Sequence, residues 1–110
     1  MVTLDVSNAE RYYSRGMISS FADKRTAAIF LGHNVKGIPG DVAQRARRKL
    51  VMLNQARDLK DLRVPPGNRL EALVGDRAGQ HSIRVNDQWR ICFRWKAGSV
   101  EGVEFCDYHR

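Results

Sequence analysis

The sequence predicts an α+β fold, with two N-terminal helices packed on one face of a mostly antiparallel sheet. Three observations carry that expectation. Before Gly67 the apolar residues recur at helical spacing; after it the period switches to two. Between the halves stands Pro65-Pro66-Gly67, which excludes both a helix and a central strand.

Residues 1–16 read as a polar N-terminal extension carrying Tyr12 and Tyr13, and residues 17–110 as a single domain. From Met17 the text "MISSF" has the look of a short strand. Phe21 to Gly32 is expected to be a helix, with Asp23 near its start and Gly32 as its stop. "GHNVKGIPG" is a loop. Asp41 to Gln55 is the strongest helix, because Val42, Ala46, Leu50 and Leu53 form one apolar stripe while Arg45, Arg48 and Lys49 lie largely off it. In "DLKDLRVPPGNRL" Leu59 and Leu62 tuck in before the prolines force a turn. Four strands follow: "NRLEAL", then "HSIRV" after a "GDRAGQ" turn, then "WRICFRW" after "NDQ", then "VEGVEFCDYH". Strand alternation sends Trp89, Ile91, Phe93 and Trp95 to one side, joined by Ile83, Val85, Val103 and Phe105. The helices must cover that side.

Charge narrows the partners. The chain has 110 residues, 19 Lys+Arg against 12 Asp+Glu, and a formal net charge of +7. A basic domain of this size favours an anionic partner, with nucleic acid first. The other sheet face holds Arg84, Arg90 and Arg94, whose mutual repulsion only weakens a hairpin. Either it is a solvated face that happens to be basic, or it grips phosphate through bidentate, charge-assisted hydrogen bonds. At the chain's end, "DYHR" offers a carboxylate, a phenol and an imidazole, groups able to move protons or stabilise developing charge.

The stretch "PPGNRLEAL-GDRAGQHSIRVNDQWRICFRW" with "VEFCDYH" resembles the HigB-like branch of the RelE superfamily of toxin–antitoxin toxins, from about Met17 to His109. The resemblance implies a ribosome-dependent endoribonuclease that cuts mRNA in the A site without metal or other cofactor. It implies a helix-turn-helix antitoxin as partner, with operator DNA met only through that antitoxin. By position, Arg90 matches the phosphate-stabilising arginine, and Asp107, Tyr108 and His109 match the C-terminal catalytic trio. Asp76 and Arg77 match a turn beside the substrate path, and Arg84 resembles a further backbone contact. Glu71 stands where some relatives have histidine, and Val74 where they have lysine. Glu71 or Asp107 would be the base and His109 the acid. Apart from the resemblance, Arg94 and the helix residues Arg45, Arg48 and Lys49 read either as contacts to RNA or the ribosome or as a solvated basic face.

A different reading keeps the fold and drops the chemistry: a non-catalytic RNA-binding regulatory module. Cys92 and Cys106 are too few for a disulfide framework and match no zinc spacing, and His33 and His81 have no partner at ligand spacing. No apolar run spans a membrane and no secretory signal opens the chain, so a cytoplasmic location is expected.

Overall fold

In the computed structural model, which describes residues 16–107, helix α1 spans Lys24–Phe30. It begins later than Phe21 because Asp23 caps it: the carboxylate accepts from the Thr26 backbone N–H and hydroxyl, both at 2.7 Å. Upstream, the "MISSF" segment makes two isolated parallel bridges, Ile18 to Val100 and Phe21 to Val103, instead of a strand. Tyr12 and Tyr13 lie outside the described residues.

Helix α2 (Gly40–Gln55) buries Ala46, Leu50 and Leu53 of the expected stripe, with Val42 partly buried against the same core. Near its end Asn54 ties the N-terminal segment down. Its side chain accepts from the Ile18 N–H at 3.0 Å and its carbonyl from the Met17 N–H at 2.8 Å. A Cβ on Gly16 would stand 2.0 Å from the Asn54 Oδ1, so only glycine passes there.

The sheet runs β1 (Glu71–Ala72), β2 (His81–Arg84), β3 (Trp89–Lys96) and β4 (Ser99–Asp107) in that order, antiparallel throughout. Strand β1 is much shorter than "NRLEAL" suggests. Asn68 is spent in a tight turn, and Arg69 follows in the left-handed region at φ 46°. A bulge between Cys92 and Arg94 resets β4, with Gly102 at φ 61° as its extra residue. The reset lets Val100, Val103 and Phe105 all reach the core, where they meet Ile83, Ile91 and Phe93. Trp89 and Trp95 pack against that core from its margin, as their parity predicts.

Asn68 is fully buried and ties three segments together. Its Nδ2 donates to the Leu62 carbonyl at 3.1 Å, and its Oδ1 accepts from Lys49 Nζ at 2.5 Å. Asn68→Leu keeps the branched shape but strands the Leu62 carbonyl and removes the Lys49 acceptor, at a cost of about 1–3 kcal/mol. The urea midpoint should fall accordingly with the slope unchanged.

The second sheet face is not open as a whole. Leu73 and the turn at Gly75–Arg77 fold over it, sealing Leu73, Cys92 and Cys106 into a small second cluster. The two thiols are unbridged. They share a hydrogen bond that holds Cys92 below the ordinary thiol range and pushes Cys106 above it.

Candidate active site

Arg90 sits at the centre of this second face and is only 7% exposed. Across the ladder its register partners are Arg84 on β2 and Cys106 on β4. Burying a guanidinium is costly unless its donors are met. Here Nε donates to Ser82 Oγ at 2.7 Å, and Nη2 donates to the Arg69 carbonyl at 2.7 Å. Glu71, half-exposed on the edge strand and opposite Ser82, brings Oε1 to 3.8 Å from the same nitrogen. The unusual backbone at Arg69 aims its carbonyl back at this cation. A fixed guanidinium and an accessible carboxylate thus share one place.

The crowded positive charge is partly compensated within the protein. Arg84 ion-pairs with Asp87, three residues on in the turn. Arg77 reaches Glu104 at 3.1 Å, a hydrogen bond that raises the guanidinium further above its usual range. Arg77 is thereby part of the cover over the cysteines, while Asp76 beside it is exposed. Arg94 remains exposed at the far end of β3.

The cationic side of α2 joins the same region. Burial pushes the Lys49 ammonium below the ordinary lysine range, and repulsion from Arg45, Arg48 and Arg84 adds to it. Those four charges therefore form one patch from helix to sheet. Lys49 is bonded to Asn68, the neighbour of the residue whose carbonyl holds Arg90. Arg47 behaves differently: its Nε donates to the Phe30 carbonyl at 3.1 Å and pins the two helices.

Asp107 departs from the expected cluster. It pairs with Trp89, whereas Arg90 pairs with Cys106, so Asp107 and Arg90 project from opposite faces. The Asp107 carboxylate accepts from Gln88 Nε2 at 3.2 Å, at the exposed rim. The strand end that carries it is anchored by Arg25. That guanidinium lies 5.4 Å from the ring centroids of both Trp89 and Phe105 and donates to the Phe105 carbonyl at 2.8 Å. Tyr108 and His109 lie outside the described residues. Val74, at 85% exposed, carries no charge into the site.

Sequence reasoning missed Ser82 and Arg69. A serine in a strand and a backbone carbonyl carry no signal until the register is known. Among the described residues no group of three or more His, Cys, Asp or Glu side chains could hold a metal ion. No helix among them is long and apolar enough to cross a membrane.

A family model described as RelE-like toxin of type II toxin-antitoxin system HigB matches residues 19–109. The chain belongs to this family. Toxin HigB-1 of Vibrio cholerae is 45% identical over 71 residues, covering 64% of this chain and 70% of the relative. Endoribonuclease HigB of Proteus vulgaris is 31% identical over 93 residues, covering 84% of this chain and all of the relative. As a HigB-like type II toxin the protein has an antitoxin for a partner, and its α+β architecture is the one expected of RelE-like toxins.

Proposed function

We propose that this HigB-like toxin is a ribosome-dependent endoribonuclease that cleaves mRNA in the A site and so blocks translation. The observation that carries the reading is Arg90 held rigid by Ser82 and the Arg69 carbonyl, with the Glu71 carboxylate 3.8 Å away. Donors fixed before the reaction stabilise developing charge without reorganising. The name of the Proteus vulgaris relative supports the same class of reaction.

In the proposed step Glu71 takes the proton of a ribose 2′-hydroxyl, whose oxygen attacks the adjacent phosphorus. That bond forms as the bond from phosphorus to the 5′-oxygen breaks. The products are a 2′,3′-cyclic phosphate and a 5′-hydroxyl, the leaving oxygen taking its proton from His109. Arg90 stabilises the extra phosphoryl charge, and Tyr108 positions a base. Glu71 rather than Asp107 is the base, because the Asp107 carboxylate shares no face with Arg90. DNA, which lacks the nucleophile, is not cut.

The patch of Arg45, Arg48, Lys49 and Arg84 supplies the grip on RNA backbone, with Arg94 and the turn at Asp76 and Arg77 flanking the path. Replacing Arg45, Arg48 and Lys49 together by alanine should lower the log–log salt slope of single-strand RNA binding by about 2, near 0.7 per lost contact. An unchanged slope would return them to a solvated surface. The whole reading is tested by adding the protein to ribosomes translating a defined mRNA and mapping the ends. Cuts in register with the A-site codon are expected, with naked RNA left whole. Growth arrest without any cut would favour the non-catalytic RNA-binding module, which the uncharged Val74 also suits.

A further inference from the structure

A cavity of about 370 Å³ opens at the outer edge of the sheet, between the turn at Leu59–Arg63 and strand β1. Leu59, Leu70, Ala72 and the His81 ring form its walls, with Lys60 and Arg63 also lining it. The volume falls at the small end of the roughly 300–1,000 Å³ typical of small-ligand sites. His81 stacks on Phe93, ring centroids 6.3 Å apart and 23° from parallel. Its Nδ1 is buried there without a hydrogen-bond partner, and the stacking presents the imidazole to the cavity as a flat wall.

An aromatic ring among aliphatic side chains suits the face of a nucleobase, and base–aromatic stacking contributes about 1–3 kcal/mol per base. Lys60 and Arg63, both exposed, suit a phosphate. The nearby Asp61 carboxylate, held by the Arg57 and Asp58 N–H groups of its own turn, offsets part of the Lys60 charge and leaves Arg63 as the main anion contact. Glu71 borders the same cavity while its side chain reaches Arg90 on the other face. Consecutive strand residues rise about 3.3 Å, so Ala72 in this wall is one step from the carboxylate proposed as base.

We propose that this cavity is a subsite for one nucleotide of the RNA strand, beside the bond that is cut. The base lies against His81 with Leu59 and Leu70, and its phosphate lies on Lys60 and Arg63. The strand then crosses the short edge β1 between this pocket and Arg90. The inference rests on the nuclease reading above, which names the strand's destination.

The test measures binding of the full chain to a fluorescent RNA hexamer carrying 2′-O-methyl groups, which cannot be cleaved. Lys60→Ala combined with Arg63→Ala should weaken binding at least tenfold. Ala72→Phe, which fills the cavity from an exposed strand position and leaves every charge in place, should do the same. Arg57→Ala, an exposed charge close by in sequence that does not line the cavity, should cost less than twofold. Wild-type affinity in Ala72→Phe, or an equal loss in Arg57→Ala, overturns the subsite. Adenosine 5′-monophosphate is the second probe: if Ala72→Phe abolishes its binding yet spares the hexamer, the pocket takes free nucleotide and the RNA subsite falls. Because none of these readouts needs cleavage, an inactive protein with this binding pattern would sink the nuclease reading and leave the subsite standing.

Discussion

Arg90→Ala is expected to slow A-site mRNA cleavage by two to three orders of magnitude. Removing one preorganised donor to a transition-state oxyanion costs about 2.7–4 kcal/mol, which is that factor in rate. The substitution also touches the fold. Arg90 is buried, and its loss leaves the Arg69 carbonyl and the Ser82 hydroxyl without their donor. A stranded polar group costs about 1–3 kcal/mol. Domains of this kind hold roughly 5–15 kcal/mol of stability, so the variant should remain folded with a lower urea midpoint. Arg90→Lys separates the two effects. A lysine keeps the charge but cannot reproduce the planar fork that spans Ser82 and Arg69, so its rate should fall between those of alanine and wild type. A folded Arg90→Ala protein cutting within threefold of wild type would remove the arginine from the mechanism.

Glu71→Gln is expected to slow the same reaction by about two to four orders of magnitude, the contribution typical of a positioned general base. The fold should be unaffected, because the Glu71 side chain is 47% exposed and its pairing with Arg90 spans 3.8 Å. An ion pair open to solvent to that extent contributes about 1 kcal/mol or less. The paired control is Asp107→Asn, which should cut within threefold of wild type. A large loss in Asp107→Asn with little in Glu71→Gln would reverse the assignment.

Much of the fold was legible because it rests on periodicity. The stripe of α2 and the alternation of β3 each have one apolar solution, and burial enforces it. Element ends were less legible. Asp23 starts α1 three residues late because its carboxylate satisfies the first-turn donors, and β1 shrinks because Asn68 and Arg69 are taken by a turn. The cover over the cysteine part of the second face was illegible for a related reason. The loop from Leu73 to Gln80 covers Cys92 and Cys106, and it spans from β1 to β2 with no periodicity of its own.

For the site, Arg90 was visible as a departure from what a sheet face needs and Glu71 only through the family resemblance, but their meeting was not. Glu71 lies 19 positions from Arg90, and the two approach only because β1 pairs with β2 and β2 with β3. Asp107 illustrates the reverse: adjacent in sequence to Cys106, it is turned away by a single step of alternation.

The order of letters alone determined the two-layer architecture and the excess of positive charge, since both depend on composition and local repeat. Only the folded chain decided which carboxylate stands beside the buried guanidinium, because strand register and one left-handed residue, Arg69, set that distance. Register is a long-range property, and a slip of one residue would send every one of these side chains to the other face.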